Sequence, residues 1–226
     1  MDDLKLYAKS KKEMELLIKK VAQFSKDIRM KFGMDKCRTV TIAKRRMEHN
    51  DFSTSVNGDG EQEEIMKALY EDDVYKYLGI EQCRRTETKI VKERISKEFT
   101  CRINLVCKSG LSGVAIIKAI NTFAIPVLTY SFGIVKWSYT DLKTMQRKIR
   151  TVLTRHCYHH PKAAVERTVL PRHEGGRGIT DITNLHDCQV MKMRRYFHEK
   201  KDKCKLIAAI VQADNGLTPI KLREGT

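Results

Sequence analysis

The sequence predicts an α+β chain, with a small mixed unit of helix and strand over residues 1–82 and helices from there to the end. Three observations carry that expectation. An amphipathic helix near the start is followed by short runs rich in Thr, Val, Ile and Tyr. From Arg84 onward the apolar residues step by three or four along single helical faces. The hydrophobic content, 41% of 226 residues, is enough to build a core.

Taken in order, residues 10–32 carry Met14, Leu17, Val21, Phe24 and Ile28 at alternating steps of three and four, with Lys and Asp between them, which predicts an amphipathic helix. Ser10 with Glu13 reads as a capping box, and Gly33 reads as the far cap. Residues 37–43 and 52–56 read as strands, Asn57-Gly58-Asp59-Gly60 as a turn and residues 74–80 as a further strand. Beyond Arg84 one helix carries Val91, Ile95, Phe99, Ile103 and Val106. A Ser-Gly loop over 109–113 precedes an apolar helix at 114–123, and Pro126 opens another apolar run to Trp137. Ser138 caps a helix with Leu142, Met145, Ile149 and Val152 on one face and Lys143, Arg147, Lys148, Arg150 and Arg155 on the other. Residues 170–178 read as a loop, and helical character returns at Asp181 with a basic cluster at Lys192, Arg194 and Arg195.

Lysine and arginine outnumber aspartate and glutamate by 44 to 28, a net charge of +16, so a polyanion is the first partner to expect. A basic surface selected for solubility is the weaker alternative, because acidic residues serve solubility better. No stretch approaches the roughly 20 apolar residues that cross a bilayer, and the first residues are acidic where a signal peptide is basic. The expectation is an intracellular chain, in nucleus or cytoplasm, with no membrane partner. Cys37, Cys83, Cys101, Cys107, Cys157, Cys188 and Cys204 are odd in number and never in C-x-x-C spacing, so they read as reduced thiols. His156, Cys157, His159 and His160 crowd together, but adjacent helical residues point in different directions and do not converge on one metal.

Four segments share a resemblance. Asp2-Asp3, followed by Leu4-Lys5-Leu6-Tyr7-Ala8 and a helix, is similar to the aromatic-x-Asp-Asp turn of reverse transcriptases, with Met1 in the x position. Gly33-Met34-Asp35-Lys36-Cys37 resembles the Gly-hydrophobic-x-x-Lys-Cys stretch of the enzymes of non-long-terminal-repeat (LINE-type) retrotransposons. Tyr75-Lys76-Tyr77-Leu78-Gly79 resembles their Phe/Tyr-x-Tyr-Leu-Gly primer grip. His159-His160-Pro161-Lys162, Leu170-Pro171-Arg172 and Gly175-Gly176-Arg177-Gly178 look like the segment after the thumb in site-specific members.

That resemblance implies a truncated polymerase palm at 1–82, a helical thumb at 83–158 and a helical post-thumb segment at 159–226. It implies RNA-directed DNA synthesis with an RNA template and a DNA primer or target as partners. Asp2 and Asp3 would then be catalytic ligands of Mg²⁺, because a polymerase needs divalent ions at the attacking hydroxyl and the leaving pyrophosphate. Lys36 would stand near that pyrophosphate, where a cation offsets developing charge. A hairpin carrying Tyr75, Tyr77, Leu78 and Gly79 would approach the primer backbone, with Gly79 allowing close approach. Lys143, Arg147, Lys148, Arg150, Arg172 and Arg177 would contact nucleic-acid phosphates. The family's third aspartate and its fingers lie upstream and are missing from this sequence, so the chain is expected to be inactive alone. A non-catalytic RNA- or DNA-binding module and a retroelement remnant without a role remain alternatives. Each motif also has a bland reading: Lys36 as a surface lysine, the tyrosines as core filling and 170–178 as a plain interhelical loop. The oligomeric state is not legible.

Overall fold

The first helix begins where the Ser10 hydroxyl accepts from the Glu13 amide at 3.3 Å, while the Glu13 carboxylate reaches back to the Lys9 amide at 2.7 Å. The resulting helix α1 runs over Lys11–Asp27. The structure, a computed structural model, describes residues 4–30, 36–44, 46–48, 50–54, 64–70, 73, 75–82 and 88–223. The chain divides into two units, Met1–Glu87 and Thr88–Thr226, and is mixed helix and small sheets.

Helix α1 ends five residues earlier than its periodicity predicts. Arg29 takes a left-handed backbone (φ 57°), with the Met30 amide bonded to the Ser25 carbonyl at 2.8 Å and the Arg29 amide to the Lys26 carbonyl at 3.0 Å. This is the Schellman pattern built on arginine, and it closes the helix before Gly33 is reached. Gly33 and the turn at 57–60 lie outside the described residues. Ile18 is the buried residue of α1, and Phe24 stays exposed.

The predicted strand at 37–43 is two short strands, β1 (Arg38–Thr39) and β2 (Thr41–Ala43). Two further strands, β3 (Arg46–Glu48) and β5 (Glu64–Ala68), went unpredicted, with β4 (Phe52–Thr54) between them in the chain. β5 is the centre of a three-stranded sheet, parallel to β1 and antiparallel to β4, while β2 and β3 pair with each other. Ile18, Phe52 and Met66 form a small core flanked by Leu6, Met14 and Cys37.

The run 74–80, expected as one strand, is instead a hairpin of β6 (Tyr75–Tyr77) and β7 (Ile80–Gln82), with Tyr77 paired to Ile80. Leu78 and Gly79 both have positive φ, 48° and 75°, as a type I′ turn requires.

The second unit is helical among its described residues. Helix α2 (Thr88–Lys108) buries Val91, Ile95, Phe99, Ile103 and Cys107, so the inward face ends on Cys107 rather than Val106. Burial pushes the Cys107 thiol above its ordinary pKa, and it stays protonated. The two apolar runs around Pro126 are one continuous rod: α3 (Gly113–Ala119), a π turn (Ile120–Ala124) and α4 (Ile125–Thr129). Pro126 has no N–H to donate and crowds the carbonyl four residues back, and the widened turn falls immediately before it. The Phe123 carbonyl there accepts from Arg102 Nη1 at 3.0 Å. Instead of a helix reaching Trp137, turns follow Thr129, and Trp137 donates to the buried Ser131 hydroxyl at 2.9 Å. Ser138 and Asp141 form a full capping box at the start of α5 (Tyr139–Arg155), whose Leu142, Met145, Ile149, Val152 and Leu153 pack inward.

Residues 159–226, expected as a region of their own, share this unit with 88–158. Asp181 caps α6 (Ile182–Lys200), which packs on α5, and α7 (Lys205–Ala213) follows. The buried Asp214 carboxylate then gathers the chain end, accepting from the Thr218 amide at 3.0 Å, the Thr218 hydroxyl at 2.7 Å and the Leu222 amide at 2.8 Å. No described helix is long and apolar enough to cross a membrane.

Candidate nucleic-acid interface

On α5 the spacing 143, 147, 150 repeats by four and three, which sets Lys143, Arg147 and Arg150 along one stripe. Lys143 and Arg147 are exposed and Arg150 is half-buried. Lys143 lies 5.1 Å from the Tyr139 ring centroid, and a hydrogen bond with Tyr139 raises its pKa, so its charge is secure. Lys148 departs from this group. Its ammonium donates to Ser96 on α2 and is spent inside the helix pair.

The segment between α5 and α6 is a braced structure rather than a slack loop. It contains two 3₁₀ turns, Glu166–Thr168 and Arg172–Glu174. Its two arms are tied by three backbone bonds, from Arg177 to the Arg167 carbonyl at 2.8 Å, from Gly178 to Leu170 at 2.9 Å and from Ile179 to Thr168 at 2.9 Å. A Cβ at Gly176 would overlap the Leu170 carbonyl, so the arms approach this closely only with glycine there. Gly175 and Gly178 hold left-handed backbone, both at φ 78°. Asn121, in the π turn, grips the segment from the side: its amide donates to the Gly178 carbonyl at 2.8 Å and its carbonyl accepts from the Thr180 amide at 3.1 Å.

This arrangement gathers positive charge. Arg177 is half-buried, and Arg167 and Arg172 are exposed. Arg167 Nε donates to the Gly175 carbonyl at 3.3 Å. Among the described residues, Arg147, Arg150, Arg167, Arg172 and Arg177 make no ion pair with a carboxylate. His159 in the same segment is 3% exposed. Burial first, then the charges of Arg177, Arg150, Arg167 and His160, hold its pKa below the ordinary histidine value, so the ring is neutral at pH 7. Its Nε2 is buried without a hydrogen-bond partner.

In the first unit, Asp2 and Asp3 lie outside the described residues, and Lys36 is exposed. No group of three His, Cys, Asp or Glu side chains converges among the described residues. Tyr75 and Tyr77 do come together, stacked at 6.2 Å with 25° between their planes. Lys5 lies 5.4 Å from the Tyr77 ring and 5.8 Å from the Tyr7 ring, and it donates to Gln82 at 3.0 Å. This is a cation set among aromatic faces, a surface suited to stacked bases and a sugar-phosphate chain.

His159, Arg167 and Asn121 were not among the binding residues expected from sequence. Asn121 had one signal, an amide set in an apolar helix, where a buried polar group must find partners. His159 and Arg167 had none beyond their place in a segment whose closure is not legible from spacing. No family model, curated protein or solved structure matches this chain.

Proposed function

We propose that this chain binds RNA or an RNA/DNA hybrid along α5 and the 159–180 segment, as the palm-and-thumb portion of a reverse transcriptase similar to those of non-long-terminal-repeat retrotransposons. The observation that carries the binding half is the set of five arginines, Arg147, Arg150, Arg167, Arg172 and Arg177, which have no carboxylate partner among the described residues in a chain of net charge +16. Unpaired guanidiniums on a helix and a rigid segment suit phosphate oxygens, which accept two parallel hydrogen bonds each. In the polymerase half, which the sequence motifs support, the Tyr75 to Gly79 hairpin lies against the primer. Asp2 and Asp3 are the Mg²⁺ ligands of that scheme and Lys36 the cation near the pyrophosphate.

Fluorescence anisotropy with a labelled RNA/DNA hybrid tests the binding half. Five phosphate contacts on a duplex predict an affinity loss of roughly five-hundredfold for a fourfold rise in salt, because each neutralised phosphate releases condensed counterion. Absence of binding, or binding indifferent to salt, would remove the reading. A non-catalytic binding module is the second reading, favoured because all five arginines lie in the second unit. Primer extension with Mg²⁺ separates the two: synthesis lost on Asp2→Asn rejects the module, and no synthesis at all rejects the chain as a polymerase by itself.

A further inference from the structure

We propose that the cleft beside β5 in the first unit binds a ribonucleoside monophosphate, with Arg38 and Lys67 on the phosphate, Asp51 and Asp73 on the ribose hydroxyls and Tyr70 against the base. These residues belong neither to the polymerase scheme nor to the five arginines of the second unit, so the site goes beyond the reading above and does not rest on it.

The sheet sets the two cations side by side. Arg38 on β1 and Lys67 on β5 are register partners in a parallel pair, so both side chains leave the same face, on strands about 4.8 Å apart. That face is the open one, because the neighbouring Met66 and its partner Phe52 turn the opposite face toward Ile18. Both cations are exposed, and the Arg38 guanidinium is held by a bond from Nη1 to the Cys37 carbonyl at 2.8 Å. Like charges in adjacent register repel, and Lys67 has no carboxylate partner among the described residues. An anion set between the two offsets that cost.

The two carboxylates are fixed by backbone amides. Asp51 Oδ1 accepts from the Ala68 amide at 2.8 Å and Asp73 Oδ2 from the Tyr70 amide at 3.0 Å, while the Asp73 amide donates to the Tyr70 carbonyl at 3.1 Å. Each carboxylate is thereby anchored through one oxygen and keeps the other as an acceptor. Arg38, Lys67, Asp51, Asp73 and Tyr70 line one cleft of about 540 Å³, within the size range of small-molecule sites.

Cations and anchored carboxylates in the same cleft suit neither a bare anion nor a bare cation. They suit a ligand with an anionic end and hydroxyl donors. A phosphate takes the N–H groups of arginine and lysine, and ribose hydroxyls donate to carboxylates as they do in dinucleotide sites. The base then has a π face for the Tyr70 ring, which is 58% exposed. Two acceptors for hydroxyls favour ribose over deoxyribose, since the 2′-hydroxyl is the group that separates them. That preference also sets the cleft apart from a polymerase's deoxynucleotide substrate. The same chemical unit exists free and at the 3′ end of an RNA strand, where the ribose keeps both hydroxyls.

The test is NMR of the ¹⁵N-labelled full chain, following the Ala68 and Tyr70 amides that donate to the two carboxylates. The probes are adenosine 5′-monophosphate, its 2′-deoxy counterpart, inorganic phosphate, and a short RNA ending in a 3′-hydroxyl or in a 3′-phosphate. Expected are saturable shifts of both amides with the ribonucleotide and about tenfold weaker affinity for the deoxy form, which leaves a carboxylate oxygen unpaired. Lys67→Gln and Tyr70→Ala change exposed side chains and should each weaken binding about tenfold, one through the phosphate and one through the base. Unmoved Phe52 and Met66 amides check that each variant keeps its sheet. Shifts with the 3′-hydroxyl RNA but not the 3′-phosphate RNA support the site as a reader of strand ends, and shifts with the mononucleotide alone support it as a site for the free nucleotide. Equal affinity for the ribo and deoxy forms, equal affinity for bare phosphate, unchanged affinity in both variants, or no shift at all overturns the site. Strand binding by the second unit is read separately, from its salt dependence, and survives that failure.

Discussion

In the first unit the buried apolar side chains among the described residues are Ile18, Phe52, Met66, Ala68 and Ile80; in the second, α2 alone buries five and α5 another five. The strands of the first unit are two to five residues long, and each depends on a partner elsewhere in the chain. A helix face repeats locally and needs only one neighbour to cover it, whereas a strand of three residues has nothing until a distant strand arrives. Local stability should therefore differ between the two units. The largest effect that tests this is Phe132→Ala. Phe132 is fully buried, edge-on to the His186 ring at 4.9 Å and to Trp137 at 6.4 Å, and its truncation should cost about 4 kcal/mol by denaturant unfolding of the second unit. Phe52→Ala in the first unit should cost less, about 2 kcal/mol, because its cluster is small enough to collapse into the gap. In the unmutated chain, amides of residues 142–152 should exchange more slowly than those of 39–43. The reverse order would show that the small sheet is the firmer part and break the comparison.

The same contrast governs what was legible. The inward faces of α2 and α5 could be read residue by residue, since the pattern 91, 95, 99, 103 and 142, 145, 149, 152 is periodic in the sequence itself. Capping at Ser10 and Ser138 was equally local. Strands β3 and β5 were missed because Arg46-Met47-Glu48 and Glu64-Ile65-Met66-Lys67-Ala68 have weak strand composition, and pairing with β2, β1 and β4 makes them strands. The residue pattern at 74–80 reads as one strand because Leu78-Gly79 is a poor turn pair, with leucine where Asn or Gly is usual, and only the resemblance to the primer grip implied a hairpin. Of the proposed contacts, Lys143, Arg147 and Arg150 were named from the basic face of one helix, and Arg172 and Arg177 from the segment that resembles the post-thumb motif. The diversion of Lys148 to Ser96 and the gathering of Arg167 and His159 depend on chain closure, which charge does not reveal.

A second prediction concerns how the second unit ends, at Asp214. Burial alone would raise its carboxyl, but hydrogen bonds from Leu222, Thr218 and Leu217 outweigh that and hold its pKa below the ordinary carboxylate range. A group with a lowered folded pKa contributes stability that is complete above the unfolded value, about pH 4, and is lost as pH falls through the folded one. Asp214→Asn should cost roughly 2 to 3 kcal/mol at pH 7, because charge-assisted bonds to backbone donors are replaced by weaker ones. The variant's stability should also fall less than the parent's between pH 4 and acid unfolding, by about the same amount. Parallel pH profiles for the two proteins would show that Asp214 is not a charged anchor and that the chain end is held by Ile220 and Leu222 alone.

The smallest expected effect is a gain, in the first unit. Leu78 sits at φ 48° in the type I′ turn, a conformation that costs a residue with a Cβ roughly 1 to 2 kcal/mol, and its side chain is 52% exposed, so little buried area is at stake. Asn tolerates that conformation and Asn-Gly is the preferred type I′ pair, so Leu78→Asn should stabilise the hairpin by about 0.5 to 1 kcal/mol, read as slower exchange of the Tyr77 and Ile80 amides. A matching loss is expected for Gly79→Ala at φ 75°. Slower exchange would show that the first unit carries removable backbone strain, sharpening the contrast with the second. It would also raise the question of why leucine stands there. On the polymerase reading the answer is contact with the primer, and Leu78→Asn should then weaken binding of an RNA/DNA hybrid while it strengthens the hairpin, since strained positions are retained where function uses them. If hairpin stability and affinity both rise, or neither moves, Leu78 is a turn residue of ordinary kind and the primer-grip assignment of Tyr75, Tyr77, Leu78 and Gly79 loses its support.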